Sequence, residues 1–331
     1  MIMWLDQISK ADVPLVGGKG ASLGELSQAG KQVPPGFSIT VNAYRSFATS
    51  SGICKRLNEL TVGGVEISEE KIKHIIDPYI QKSMLPSVVE KAVRDAYLLL
   101  CSRVGNEVLV AVRSSATMED SGSTSFAGQH ETFLNVLGVE AVLAKTLLCW
   151  GSMFSPHALH YRNANEISLE EDAMAVVVQK MVNAKSAGVA FTVDPVSGDR
   201  DSVVIDAAWG LGEGVVGGFV TPDHFVVDKK TLEIKERWIS PKTSEFARDS
   251  VSGETVQREV AKEKQMTPSL TVMEVKAIAQ NAISIEQHYG QPQDIEWAFD
   301  QDLSFPKNLL ILQSRPVTVW GKVKSLAAGS H

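Results

Sequence analysis

The chain has 331 residues, 44% of them hydrophobic and 21% charged, with a formal net charge of −7. A chain of this length buries roughly three quarters of its unfolded surface and suits two domains, and the composition excludes a disordered protein. The acidic balance, with no Lys/Arg block, argues against a nucleic-acid partner, and no apolar run approaches the ~18 residues of a membrane span.

Three cysteines (Cys54, Cys101, Cys149) lie far apart with no C-x-x-C spacing, so they read as reduced core residues rather than a disulfide framework or zinc site. Asp6 stands where a signal peptide needs an apolar stretch, and a cytoplasmic location is expected.

From the N-terminus, Gly17 and Gly18 permit a tight turn, and Ala21 to Gln28 suit a small-residue helix. A glycine turn that feeds a helix and carries Lys19 is a plausible phosphate cradle, although a solvated loop fits the same residues. It is not a Walker A loop, because positions 13 and 20 hold Val13 and Gly20 instead of Gly and Ser/Thr. Val33 to Thr40 reads as a turn into a strand. Thr40 then caps a helix that carries Ala43, Tyr44 and Phe47.

Residues 66–105 are helical in pattern and carry no chemically useful cluster. Ser87 can cap a helix whose apolar stripe is Val88, Ala92, Ala96, Leu99 and Leu100, ending before Gly105. Next comes an apolar β-branched run, Val108 to Val112, that delivers Arg113 to a loop of small, polar and glycine residues. The unit closes with a second strand-like run, Glu131 to Val136. Guanidinium, hydroxyls and backbone N–H groups make this an anion site, though a solvated hairpin loop would look alike. Val139–Trp150 and Pro156–Asn163 again look helical. His157 and His160 sit i, i+3 there, but with no third ligand nearby a surface or packing role is the better reading.

Ala173 to Val182, Ala187 to Val193 and Ser202 to Ala208 are strands in quick succession, suggesting a separate antiparallel sheet and a domain boundary near residue 183. Gly212 to Gly217 spells G-x-G-x-x-G, yet Gly218 and Pro222 stop the long helix that a dinucleotide crossover requires. Residues 238–269 read as a polar excursion, and 271–288 as a helix with Val272, Val275, Ile278, Ala279 and Ile283 on one face.

Near the C-terminus, Asp294 and Glu296 share one face of a strand, and Leu309 to Leu312 leads into Gln313 and Arg315. Two carboxylates and an amide oxygen, with phosphate oxygens and water, meet the octahedral demand of Mg²⁺. A guanidinium beside them can stabilise a transferring phosphoryl group.

Eight segments, in one order over nearly the whole chain, resemble the ATP-binding domain of phosphoenolpyruvate synthase, pyruvate phosphate dikinase and rifampicin phosphotransferase. They are Val16 to Leu26, Pro34 to Phe37, Val112 to Thr117, Ser125 to Gln129, Ala208 to Glu213, Thr221 to Asp223, Asp294 to Trp297 and Gln313 to Pro316. The resemblance implies an α+β, ATP-grasp-like fold with two lobes clasping ATP. One lobe would be residues 1–182, the other 183–322, with a tail at 323–331.

It implies Lys19 and Arg113 as phosphate ligands and Ser125, Ala127 and Gly128 as part of a loop closing over the phosphates. Gln179, Met181 and Val182 fall at adenine-hinge positions, and Glu213 in the glycine-rich loop. Asp294 matches a nucleotide-contacting acid, Glu296 and Gln313 match Mg²⁺ ligands, and Arg315 matches the catalytic arginine. Such proteins cut ATP to AMP and place a pyrophosphoryl group on a histidine of a swivelling domain, which phosphorylates a small-molecule acceptor.

None of the seven histidines has the family's phosphohistidine context, and no acceptor barrel is recognisable. The expectation is therefore a dikinase-type ATP subunit of the phenylphosphate-synthase kind. It would act on a partner subunit's histidine and, through it, on a phenol-type or other small acceptor. The last residues resemble no expression tag, which favours a natural subunit. An excised phosphoenolpyruvate synthase domain is the nearest alternative, and a nucleotide-sensing module without turnover is a further one.

Overall fold

The computed structural model describes residues 1–53, 55–56, 74, 76, 78–80, 83–117, 131–156, 158–160, 173–249 and 251–317. The chain is α+β and divides into two compact units. One comprises Met1–Glu25 and Pro35–Met181, the other Leu26–Pro34 and Val182–His331. The sequence reading gave residues 26–34 to the first lobe. They group with the second because Leu26 joins its core, the Lys31 ammonium bonds Ser284 Oγ at 2.7 Å, and Ile311 N–H donates to the Gln32 carbonyl at 2.8 Å.

In the first unit the described elements are strand β1 (Ile2–Trp4), helix α1 (Val13–Gln28), β2 (Gly36–Ile39), helix α2 (Val41–Ser51), α3 (Ser87–Val104), β3 (Val110–Ala116), β4 (Thr132–Val136), α4 (Val139–Ser152) and β5 (Met174–Lys180). The strands form an antiparallel sheet in the order β1-β2-β5-β3-β4. The expected grouping of 173–182 with the two following strands is thus corrected. β5 has apolar residues on both faces, as a central strand does, and it is completed by β2 and β3. One face of the sheet carries Phe37, Ile39, Val110, Val112, Val176 and Val178 into a core with Phe47, Tyr97 and Trp150.

Helix α3 buries Val89, Val93, Ala96, Tyr97 and Leu100, while Val88 and Leu99 are exposed. The expected stripe is rotated by one position. Tyr97 decides this: its hydroxyl donates to the Val108 carbonyl and accepts from Gly138 N–H, both at 2.9 Å, so the ring can be buried with its polar tip satisfied. Burial pushes the Tyr97 phenol up to about 12. Thr40 does precede α2, but its hydroxyl makes no capping bond. Cys149 is a free, buried thiol whose pKa burial raises, and Cys101 is also free, whereas Cys54 lies outside the described residues.

The second unit holds β6 (Ala184–Phe191), β7 (Ser202–Trp209), β8 (Asp223–Asp228), β9 (Ile234–Trp238), β10 (Ser244–Arg248), β11 (Thr255–Glu259), helix α5 (Val272–Tyr289), β12 (Gln293–Asp300) and β13 (Leu309–Pro316). An antiparallel sheet runs β13-β12-β6-β7-β8-β9, and β10 and β11 form a separate two-stranded sheet. Helix α5 begins in a capping box, Thr271 with Glu274, and ends at Gly290 in the left-handed conformation. It buries Val275, Ile278, Ala279, Ala282 and Ile285 against Ile205, Ile295, Trp297, Phe299 and Ile311. Val272 is exposed.

Residues 238–269 are not a loose excursion. Most of their side chains face solvent, but Ser240, Lys242 and Ser269 are buried, and Lys242 lies 2.5 Å from the equally buried Asp223. Among the described residues no helix is long and apolar enough to cross a membrane.

Candidate functional site

In the first unit the structure brings two sequence-predicted residues, Arg113 and Gln179, to one sheet face. Gln179 pairs with Ala111 and with Gly36, and Arg113 pairs with Val177, so both lie opposite the apolar core face. Helix α1 packs on this side. It is two helical pieces broken at Gly17, whose φ of 69° and ψ of 176° are unavailable to a helix, and Lys19 follows the break. A Cβ at Gly17 would fall 2.1 Å from the Ser115 carbonyl oxygen, so β3 approaches the turn as closely as only glycine permits. Ser115 is fully buried. Its hydroxyl donates to the Val16 carbonyl at 2.8 Å and accepts from Gly20 N–H at 3.1 Å.

Arg113 is the one residue of β3 that is not buried. Gln179 is buried, and Met181 N–H donates to the Leu109 carbonyl at 2.8 Å. Ser125, Ala127 and Gly128 lie outside the described residues, as does His157.

In the second unit Asp294 pairs across the strands with Arg315, and Glu296 with Gln313. Arg315 Nε donates to Asp294 Oδ2 at 2.8 Å, with the guanidinium side chain 51% and the carboxylate side chain 11% exposed. Burial lifts the Asp294 carboxyl above the ordinary aspartate range. The Arg315 charge opposes the lift, and Glu296 adds a smaller push in the same direction.

Simple alternation along β13 would send Gln313 and Arg315 to the same side as Leu309 and Ile311, which lie in the apolar core. A register shift prevents this. Glu296 faces Gln313, but Trp297 faces Ile311, leaving Leu312 as the extra residue. Leu312 packs instead beside Val182, Ala187, Ala298 and Leu310, away from the helix-covered core. The strand end is locked by Gln293, whose side-chain oxygen accepts from Ser314 Oγ at 2.8 Å and whose N–H donates to Thr192 Oγ1 at 2.8 Å.

Glu213 opens a four-residue helix, Glu213–Val216, on the turn after β7 and is exposed. The G-x-G-x-x-G expectation of no long helix agrees with this. The glycines here serve β10: a Cβ at Gly210 would fall 2.3 Å from the Phe246 carbonyl oxygen, and Leu211 N–H donates to that carbonyl at 2.9 Å. Sequence reading gave no role to Ser115, Gln293 or Asp223. The serine in Arg113-Ser-Ser and the acid in Thr221-Pro-Asp223 were visible, but their partners are distant in sequence.

The donor set of the second unit fits a hard cation. Two carboxylates and an amide oxygen gather at one strand pair, whereas no group of three or more His, Cys, Asp or Glu among the described residues could cage a metal. Mg²⁺ is typically held by one or two carboxylates together with phosphate oxygens and water. Glu296 and Gln313 would hold it here.

The family model described as "Pyruvate phosphate dikinase, AMP/ATP-binding domain" matches residues 13–329. Phosphoenolpyruvate synthase of Aeropyrum pernix is 44% identical over 99% of this chain and 43% of its own length. The Pyrococcus furiosus enzyme is 39% identical over 96% of this chain and 44% of its own length. A probable phosphoenolpyruvate synthase of Methanocaldococcus jannaschii is 42% identical over 98% of this chain and 27% of its own length. The chain therefore spans less than half the length of these relatives.

Proposed function

The chain belongs to the pyruvate phosphate dikinase AMP/ATP-binding domain family, and from that premise we propose that it is the Mg-ATP-binding part of a phosphoenolpyruvate-synthase-type phosphotransferase. In this reading a histidine on a separate domain or subunit attacks the β-phosphorus of ATP. The α–β bridging P–O bond breaks and AMP leaves, so the histidine carries a pyrophosphoryl group. Water takes its terminal phosphoryl group as inorganic phosphate, and the remaining phosphoryl group passes from the histidine to a small-molecule acceptor. Lys19 and Arg113 bind phosphate oxygens, and Arg315 meets the charge that develops on the transferring group. Asp294 fixes the guanidinium through Nε. Mg²⁺, when bound, supplies charge that neutralises the phosphates. Gln179, Met181 and Val182 contact the adenine, and Ser125, Ala127 and Gly128 close over the phosphates.

The observation that carries this reading is the double cross-strand pair, Asp294 with Arg315 and Glu296 with Gln313, on the side of the strands away from the apolar core. The length of the relatives supports a histidine-bearing domain outside the present sequence. The intact Arg315 favours turnover over a sensing role.

Arg113→Ala and Glu296→Ala should each weaken Mg-ATP binding by about 2–3 kcal/mol, since each removes a charge-assisted contact. Isothermal calorimetry on the folded variants measures this, and wild-type affinity in both would remove the assignment.

The chain by itself should bind ATP and hydrolyse it slowly at most. With a histidine-bearing domain from one of the longer relatives added, AMP should form in step with labelling of that histidine from β-labelled ATP. Rapid phosphorylated product from the chain alone, or ADP as the main nucleotide product, would show the reaction to be of another kind.

A further inference from the structure

In a continuous helix Gly20 N–H would donate to the Val16 carbonyl, four residues back. The break at Gly17 falls between these two groups, and Ser115 Oγ links them by accepting from Gly20 N–H and donating to the Val16 carbonyl, at 3.1 and 2.8 Å. One hydroxyl, 0% exposed and about a hundred residues away in sequence, thus ties together the backbone on either side of the helix break. Insertion of a side chain into the helical ladder is a recognised cause of a sharp kink. The residues it brackets are Gly17, Gly18 and Lys19. The strand that supplies it carries Arg113 two residues earlier, on the same face.

We propose that Ser115 is a positioning residue for Lys19. It holds the helix break open and fixes the Lys19 turn to the strand that bears Arg113, so the two cations are presented to the nucleotide phosphates at a set spacing. This rests on the proposed Mg-ATP function. Ser115 itself touches no substrate. Gly17 is its structural counterpart, since a Cβ there would fall 2.4 Å from the Ser115 hydroxyl oxygen.

Ser115→Ala leaves the Val16 carbonyl and Gly20 N–H buried without this bridge, and the turn is then free to drift or to close into regular helix. Mg-ATP affinity is expected to fall about 5–30-fold, within the range of coupled neighbouring groups. The discriminating experiment is a double-mutant cycle by calorimetry on the full chain, with wild type, Ser115→Ala, Lys19→Ala and the double variant.

If Ser115 acts through Lys19, its substitution changes affinity less than about twofold once Lys19 is already replaced. Equal losses in both backgrounds, or no loss in either, would overturn the proposal, because a purely structural strut affects both alike. So would a Lys19→Ala variant that binds as wild type does. Should Ser115→Ala fail to fold, Ser115→Cys keeps a weak donor and acceptor in the same place and carries the same cycle. If the wild-type chain fails to bind Mg-ATP, the function proposed above falls and takes this inference with it. If wild type binds but the cycle shows no coupling, only the positioning role is lost.

Discussion

Arg315→Lys is expected to lower AMP formation, measured with a histidine-bearing domain present, about 10²–10⁴-fold while Mg-ATP affinity changes less than about threefold. The argument is geometric. Lysine keeps the charge, so the general attraction for phosphate survives. It has no Nε to donate to Asp294 Oδ2, the 2.8 Å bond that orients the guanidinium, and it cannot bind phosphate in bidentate fashion. Arg315 lies near the end of β13, whose preceding residues pack on both sides of the sheet, so its position is set by a rigid support. An interaction that strengthens only as charge develops lowers turnover and leaves the ground state alone. Equal losses in affinity and turnover would instead make Arg315 a binding residue.

Asp223→Asn is expected to destabilise the second unit by about 3–5 kcal/mol, the usual consequence of removing one partner from a buried ion pair. Both Asp223 and Lys242 are fully buried. One carboxylate oxygen accepts from Lys242 Nζ at 2.5 Å and Ser240 N–H at 3.1 Å. The other accepts from Ser269 N–H at 2.7 Å and Ser269 Oγ at 2.8 Å. This carboxylate therefore fastens three points of residues 240–269 to the start of β8. Asparagine keeps the shape but leaves the lysine charge without its counter-ion, and its NH₂ cannot accept the bonds one oxygen now takes.

Urea denaturation followed by the fluorescence of Trp297, with the other tryptophans replaced, reports the loss. Adding Lys242→Met should restore part of the lost stability, since the stranded charge is then gone. A midpoint unchanged in the single variant would show that the pair contributes nothing net.

Local chemistry was legible in the sequence wherever neighbours in the chain are neighbours in space. The breaks at Gly17 and Gly105 were readable because glycine is the residue favoured where φ is positive. The shared face of Asp294 and Glu296 followed from strand alternation, and the ordered motifs identified the family. Residues whose partners are far along the chain were not legible. The stripe of α3 was misjudged because Tyr97 is buried only by virtue of Val108 and Gly138. Residues 238–269 looked like a loose excursion because nothing local says that Lys242 meets Asp223 in the interior.

The site shows the same division. That Gln313 and Arg315 share a face can be read from their spacing. That this face is the one bearing Asp294 and Glu296, rather than the apolar core, is decided by the extra residue at Leu312, where the register slips by one. A bulge is a property of two paired strands, and its position depends on which side chains the neighbouring strand and helix accept. In the same way Lys19 announces itself in a glycine turn, but the hydroxyl that holds the turn comes from β3, and only the folded sheet places Ser115 in the gap between Val16 and Gly20.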